Sequence, residues 1–599
     1  MQPALIACQK INSIGSIKYS TLHSVTMPHI IDKLITPYSG DLVNLNIDRT
    51  RAETLCREAM HFPSLDLDRR QLSDLELLLN GGYSPLRGFM NQADYNSVLN
   101  DMSLADGTFW PMPITLNIPD SVAQQLVPGS RLALRDPEGF MLAVITVAEL
   151  WHPDRTMEAQ ALFNSVDPAH PGVAHLLKQK GQHAVAGRLE GLSLPLRHDY
   201  PTLHLTPKEL RKSFAQRGWN RIIAFQTHQP LHRVQYEFML SSAMAHEANL
   251  LIHPIIGNAE PDHHDHLTLI RCYQAIMPRF SSATTALSLL PLYPRGSGLR
   301  EVFWKAIVQR NYGCSHLIVG GEHMGNEGTR RGMDLFQEYS LPANAAKRNA
   351  VGIELIPFPR MVYVEERAHY LPLEEVPEGA LSVSLTNTEL KHRLVEGLKV
   401  PEWFSFPEVL NELHIAYPTR DKQGLTIFFT GLSGAGKSTL AKVLMTKLLE
   451  IGGRQVTLLD GDIMRKHLSS ELGFSREHRD INVRRIGFVA SEITKNLGIA
   501  ICAPIAPYHA TRRDVRVMIE PLGGFFEIHV ATPLHVCEGR DRKGLYAKAR
   551  AGIVKEFTGI SDPYETPENP ELVIDTTNIS VEEAVQQILL KLEREGYVH

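Results

Sequence analysis

The sequence predicts an α/β protein in three parts. These are a mixed, β-rich N-terminal domain, an α/β domain in the middle, and a C-terminal domain built on a parallel sheet. Three observations carry that prediction. Short apolar runs separated by Gly/Pro/Asp turns fill residues 27–195. From about Leu196, apolar runs alternate with helical patterns, the signature of strands joined by crossover helices. The stretch Gly431-Leu432-Ser433-Gly434-Ala435-Gly436-Lys437-Ser438-Thr439 fits G-x-x-x-x-G-K-[ST]. It lies between an apolar run, Leu425 to Phe429, and a helical pattern through Leu440, Val443, Leu444 and Leu448. Strand, glycine loop and helix in that order form a phosphate-binding loop.

Composition sets the outer limits. A chain of 599 residues has room for roughly three to five domain-sized units. Hydrophobic content is 43% and charged content 21%, and the formal net charge is -5. That balance is globular and gives no basic field for nucleic acid. Six cysteines, Cys8, Cys56, Cys272, Cys314, Cys502 and Cys537, show no C-x-x-C spacing. They argue against a disulfide framework or zinc site and for a reducing, cytoplasmic compartment. No run approaches the ~18 apolar residues of a membrane span. Residues 1–26 carry Lys10 and Lys18, no acid and no long apolar core. They are expected to be a disordered extension, with ordered chain from near Met27.

In residues 27–195 the strand candidates are Met112 to Ile118, Arg131 to Leu134 and Met141 to Ile145. Asn80-Gly81-Gly82-Tyr83-Ser84-Pro85-Leu86 is a turn-dense loop. Residues 196–344 form the second domain, with strands expected at Asn220 to Phe225, Leu250 to Ile256, Ala286 to Leu292 and Ser315 to Gly321. A helix through Phe238, Met239, Ser242 and Ala243 follows the first of these. Asp262-His263-His264-Asp265-His266 resembles a metal tract, but contiguous residues between elements favour a solvated loop. Residues 345–400 read as a small α/β appendage. Residues 401–423, with Pro401, Pro407 and Pro418, read as a linker packed through Trp403 and Phe406. Residues 424–599 form the last domain, with further strands at Val456 to Leu459, Ile499 to Ala503, Phe525 to Val530 and Leu572 to Ile574. Its final helix, Val581 to Leu592, has Val581, Ala584, Val585 and Ile588 on one face.

The C-terminal domain resembles adenylylsulfate (APS) kinase. The resemblance rests on the loop Gly431–Thr439, Leu459-Asp460-Gly461-Asp462, Gly473-Phe474-Ser475, Arg479, Asn482 and Arg485-Ile486-Gly487. Lys543-Gly544-Leu545-Tyr546, Phe557-Thr558-Gly559-Ile560 and Asp562-Pro563-Tyr564-Glu565 extend it. From Met27 to about Val400 the chain is similar to ATP sulfurylase (sulfate adenylyltransferase). Asp74-Leu75-Glu76-Leu77, Gly88-Phe89-Met90, Leu104-Ala105-Asp106-Gly107, Pro113-Ile114-Thr115-Leu116, Asp167 and His170-Pro171 carry that likeness. The resemblance implies a nucleotidyltransferase-like middle domain and a P-loop kinase C-terminal domain. It implies sulfate activation from ATP: sulfate attacks the α-phosphate to give APS, and APS is then phosphorylated to 3′-phosphoadenylylsulfate (PAPS). Expected partners are ATP, sulfate and APS, with Mg²⁺ as cofactor, and further copies of the chain.

For the kinase half the resemblance implies that Gly431, Ser433, Gly434, Ala435, Gly436, Lys437, Ser438 and Thr439 hold ATP. Lys437 and Asp462 act in catalysis, and Ser438, Asp460 and Asp462 hold Mg²⁺. Phe474, Arg479, Asn482, Lys543 and Phe557 bind APS. Ala506, where some relatives carry a serine, cannot form a phosphoenzyme, so transfer is direct. For the sulfurylase half it implies a site of Gln226, Thr227, His228, Gln229, His232 and Gln235, with catalysis at Thr227, His228, Gln229 and His232. Arg295, Gly320, His323, Met324, Phe358 and Met361 would line the nucleotide.

The sulfurylase motif departs from the family pattern Q-T-R-N-P-x-H-R-A-H. His228 stands for arginine, Gln229 for asparagine and Gln235 for the second histidine; Gly321 stands for another arginine. Sulfate activity is therefore expected to be weak, absent or redirected. Two other functions stay open: an APS kinase fused to a weak sulfurylase-like scaffold or sensor, or adenylyl transfer to another oxyanion.

Overall fold

A computed structural model describes residues 34–178, 181–257, 264–320, 337–473, 475–541 and 544–598; of His264 and Asp265 it describes the backbone only. The expected extension 1–26 lies outside them, as do Asp262 and His263; the other three residues of that tract, expected in a loop, begin a helix. The described residues of 1–227, 240–258 and 282–358 form one compact unit, and those of 228–239, 259–281 and 359–599 form another.

The first unit holds two five-stranded sheets. One contains β1 (Ser64–Asp66), β2 (Leu116–Ile118), β3 (Arg131–Arg135), β4 (Met141–Trp151) and β5 (His183–Gly191), in the order β1-β3-β4-β5-β2. Its pairings are antiparallel apart from β1 with β3. A tight turn sets the β3–β4 hairpin: Asp136 Oδ1 accepts from the backbone N–H groups of Glu138 and Phe140, the local bonding that makes aspartate a turn former. The run expected at Met112 to Ile118 pairs only from Leu116, because Pro113 has no N–H to give a ladder. Strand β5 was not visible in the sequence. Its Gly187 breaks the apolar pattern, and a Cβ there would lie 2.0 Å from Thr146 O, so the two backbones approach too closely for any side chain. Helix α1 (Arg69–Leu79) lies nearby in sequence. Its Asp68–Gln71 capping box satisfies the first turn.

The second sheet comprises β6 (Ile222–Phe225), β7 (Asn249–Ile252), β8 (Thr285–Leu287), β9 (His316–Gly320) and β10 (Glu354–Phe358). All pairings are parallel, in the order β10-β9-β6-β7-β8. The boundary drawn at 344/345 is therefore wrong for this sheet: β10 lies beyond it and pairs along its whole length with β9. Helix α2 (Arg233–Ala245) follows β6. One apolar core joins both sheets, through Leu75, Trp110, Ile145, Ile222, Leu251, Trp304 and Leu317.

In the second unit, α3 (His264–Ile276) packs on a helix within the expected linker. This second helix, absent from the sequence reading, is α5 (Pro407–Ala416); α4 (Leu299–Tyr312) of the first unit precedes it in the chain. Val409 and Leu413 are buried, and Arg271–Glu412 and Arg279–Glu408 ion pairs of 2.8 and 2.9 Å flank them. Residues 361–383 form a small antiparallel sheet of β11 (Met361–Val364), β12 (His369–Pro372) and β13 (Ser382–Val383).

The remainder is a parallel sheet of β14 (Leu425–Thr430), β15 (Val456–Asp460), β16 (Ile499–Ala503), β17 (Gly524–Val530) and β18 (Leu572–Ile574), in the order β15-β16-β14-β17-β18. Strand β14 is buried along its whole length, which is why it reads as a continuous apolar run. The helices here include α6 (Lys437–Ile451), α7 (Gly461–His467), α8 (Arg476–Lys495), α9 (His509–Ile519), α10 (Leu545–Arg550) and α11 (Val581–Arg594). Helix α11 buries Ala584, Val585, Ile588 and Leu592 behind a Ser580–Glu583 capping box. Among the described residues, no helix is long and apolar enough to cross a membrane.

Candidate active sites

The phosphate-binding loop leaves the carboxyl end of β14, the central strand of its sheet. That is where parallel sheets receive ligands. Gly434 and Gly436 have φ of +76° and +104°, backbone that L side chains rarely adopt. A Cβ on Gly434 would also lie 2.9 Å from Cys537 O. Gly436 caps α6, so the loop ends on the positive end of a helix dipole. Lys437 is buried, its Nζ donating to Gly431 O and Leu432 O at 2.8 and 2.7 Å.

Residues far along the chain hold this loop in shape. Thr532 Oγ1 and Thr576 Oγ1 both donate to Ala435 O, at 3.2 and 3.0 Å. Arg540 donates to Thr576 Oγ1 and O, both at 2.7 Å. Tyr546 Oη donates to Ser433 O at 2.8 Å. Only their common target, a few loop carbonyls, relates these residues, and sequence spacing does not show it.

Asp460 ends β15 and is buried. Its Oδ1 accepts from the Asp462 N–H at 3.0 Å and caps α7. It starts the helix on which Asp462 is exposed. Arg479 and Asn482 share the buried face of α8. Arg479 Nη1 donates to Thr558 Oγ1 at 2.6 Å and lies 2.9 Å from Asp562 Oδ2. Its Nε and Nη2, and Asn482 Oδ1, are buried without a hydrogen-bond partner among the described residues. Buried polar atoms are nearly always satisfied, so these mark a place for a polar ligand or water. Phe557 is partly buried, edge-on to Tyr546 with ring centroids 5.0 Å apart. Phe474 and Lys543 lie outside the described residues.

In the first unit, Gln226 and Thr227 follow β6 and are buried. Both amide atoms of Gln226 lack a hydrogen-bond partner among the described residues. Thr227 O accepts from Ile255 N at 3.0 Å. Gly320 ends β9 against Phe358: a Cβ there would meet Phe358 Cβ at 2.6 Å. Arg295 was expected at the nucleotide; its Nε and Nη1 are buried without a hydrogen-bond partner among the described residues. It is buried, with Nη2 2.7 and 2.6 Å from the two oxygens of fully buried Asp74. Arg300 is a second core cation, donating to the carbonyls of Val98, Pro111 and Leu99.

In the second unit, His228 is exposed. Gln229 is anchored twice, its O accepting from Tyr273 Oη at 2.6 Å and its Oε1 from Asn387 Nδ2 at 2.7 Å. His232 is buried, its Nδ1 2.8 Å from Ser405 Oγ. Burial pushes its pKa down to about 4, so at neutral pH the imidazole carries no charge for a phosphate. Gln235 Oε1 accepts from His232 N at 2.9 Å at the start of α2. Arg233 donates to Glu402 O at 2.6 Å and lies over the Phe406 ring. Met361 begins β11. Gly321, His323 and Met324 lie outside the described residues.

A phosphate loop on a five-stranded parallel sheet, after a second parallel sheet with its own buried polar cluster, defines a nucleotide-dependent transferase of two catalytic domains. Comparison with known proteins identifies which. Residues 423–575 match the adenylylsulphate kinase family model, residues 201–416 the ATP-sulfurylase model and residues 35–194 a PUA-like domain. The sulfate adenylyltransferase of Emericella nidulans is 45% identical over 568 residues, covering 94% of this chain and 99% of the relative. That of Mycosarcoma maydis is 44% identical over 570 residues, covering 94% and 99%. A solved structure titled "Hexameric APS kinase from Thiobacillus denitrificans" is 50% identical, with TM-score 0.78, and covers 94% of this chain and 100% of that one. The chain belongs to the sulfate adenylyltransferase family, in a form that carries both an ATP-sulfurylase and an APS kinase domain. It is a sulfate-activating enzyme that uses ATP, and formation of APS and then PAPS fits its two domains.

Proposed function

We propose that residues 424–599 transfer the γ-phosphoryl group of ATP directly to the ribose 3′-hydroxyl of APS. The observation that carries this reading is the rigid loop Gly431–Thr439, held by Thr532, Thr576 and Tyr546. Phosphoryl transfer needs positioning and charge neutralisation more than covalent help, and a clamped loop of inward N–H groups supplies both. Lys437 reaches the β- and γ-phosphates, and Asp462 faces the acceptor hydroxyl. Ser438 and Asp462 would hold Mg²⁺, which neutralises phosphate charge. Their hydroxyl and carboxylate oxygens suit that hard cation. Arg479, Asn482 and Phe557 receive APS, with Phe474 and Lys543 completing that site. Direct transfer follows from Ala506, which has no hydroxyl and is fully buried.

The residues after β6 carry adenylyl transfer to sulfate, with Gln226 and Thr227 toward the nucleotide. Its cations are fewer than the family pattern supplies, so this is the slower of the two steps. The solved structure titled as a hexameric APS kinase matches 94% of the chain. That title supports a homo-oligomer, and the free cysteines support a cytoplasmic setting. The deciding experiment measures pyrophosphate release with sulfate and PAPS formation from APS separately on the full chain. PAPS formation without measurable turnover of Lys437→Ala supports the kinase assignment; equal turnover of that variant overturns it.

A further inference from the structure

The carboxylate of Asp562 sits between two donors. Its Oδ2 accepts from Tyr508 Oη at 2.7 Å and lies 2.9 Å from Arg479 Nη1. The same Nη1 reaches Thr558 Oγ1 at 2.6 Å. One corner of the guanidinium is thereby committed. A guanidinium is planar and its five N–H groups have fixed directions, so holding Nη1 also fixes where Nε and Nη2 point. These two atoms are the buried, unpartnered ones. Together they form the edge of the fork that matches two oxygens of a phosphate or sulfate.

The surroundings favour an anion at that edge. The guanidinium carbons of Arg476 and Arg479 lie 4.5 and 5.5 Å from the centroid of the Tyr508 ring. Arg465 is close enough that burial and then the charge of Arg479 push its pKa down. Asp562 offsets one of these three charges. Burial, reinforced by the bond to Asp562, pushes the Tyr508 hydroxyl well up, so it remains a donor at neutral pH.

We propose that Asp562 and Tyr508 are positioning residues for the acceptor substrate: they hold Arg479 so that its Nε–Nη2 edge faces the phosphosulfate anion. This rests on the assignment of APS as the acceptor. Neither residue touches the reacting atoms; both act through Arg479.

The test uses the full chain and the variants Asp562→Asn, Tyr508→Phe, Arg479→Lys and the Asp562→Asn/Arg479→Lys double. Initial rates are measured with APS varied at saturating ATP, and with ATP varied at saturating APS. Asp562→Asn should raise the KM for APS about tenfold, the scale of one charge-assisted hydrogen bond, while kcat and the KM for ATP stay within about twofold. Tyr508→Phe keeps the ring under both arginines and should shift the same constant less. Because all act through one fork, the double variant should lose little beyond Arg479→Lys alone. An unchanged KM for APS overturns the proposal, as do equal shifts for APS and ATP or full additivity in the double variant. Should Asp562→Asn fail to fold, Tyr508→Phe decides alone, an APS-specific shift supporting and no shift overturning. A wild type that does not phosphorylate APS overturns the underlying assignment instead; an active wild type with unshifted variants overturns only the positioning role.

Discussion

Restoring charge at the sulfurylase motif should accelerate it. His228 stands where the family carries a guanidinium, and an imidazole lacks the permanent charge and the fork of N–H groups that arginine presents to an oxyanion. The other cations of the sulfurylase motifs are already engaged. Arg295 is neutralised by Asp74, Arg300 is spent on three carbonyls, and Arg233 on Glu402 O and Phe406. His232 is held neutral by burial. A guanidinium about 4 Å from an anionic oxygen is worth about 4 kcal/mol at an effective dielectric of about 20. His228 is exposed, so screening leaves about 2–3 kcal/mol, or about a hundredfold in rate. The perturbation is His228→Arg with Gln229→Asn, with Gln235→His added in a second variant. The last change removes the Oε1 that accepts from His232 N and should cost about 1 kcal/mol of stability, so the double variant is the cleaner comparison. The assay is steady-state pyrophosphate release from ATP with sulfate. If the wild type already turns over sulfate as fast as both variants, the charge argument is refuted.

Other predictions follow from the same contacts. Asp74→Asn leaves Arg295 buried without its counter-charge and should lower stability by about 3–5 kcal/mol, read from urea unfolding by tryptophan fluorescence. His232 and His253 both have pKa values pushed down to about 4 by burial. Their folded values lie below the unfolded value of about 6.5. Their stabilisation is therefore complete above that pH and is lost as pH falls from about 6.5 toward 4, at up to about 1.4 kcal/mol per pH unit for each histidine. His253→Leu should flatten the urea-midpoint profile in that window, and an unchanged slope would count against it. Lys437→Ala should reduce APS phosphorylation by at least about a hundredfold with an unchanged circular dichroism spectrum. A fragment from 417 to 599 should fold alone and retain kinase activity. It keeps Arg420, which donates to Glu595 O at 3.1 Å, and Gln423, whose O accepts from Arg454 at 2.6 Å. A fragment from 424 loses both contacts and should melt lower by thermal scan.

What the sequence determined by itself was local. Continuous apolar runs gave β14, β16 and β17 nearly to the residue, because strands buried on both faces leave no other pattern. The glycine loop was legible because its φ angles exclude other residues, and α11 because a four-residue apolar face is short-range. Motif reading also brought Lys437, Asp462, Arg479 and Asn482 forward. The tertiary structure decided the rest. Strand β5 and the pairing of β10 with β9 depend on partners far along the chain, and helix α5 was hidden in a proline-rich stretch of which one proline, Pro407, opens its first turn. Above all, the sequence named the charged residues and could not say which were free. Arg295 was expected to line the nucleotide and His232 to act in catalysis; in the fold one is paired with a carboxylate 221 residues away and the other is held neutral by burial. A side chain's charge and reach are properties of its own type; whether that charge is available depends on what the fold packs beside it.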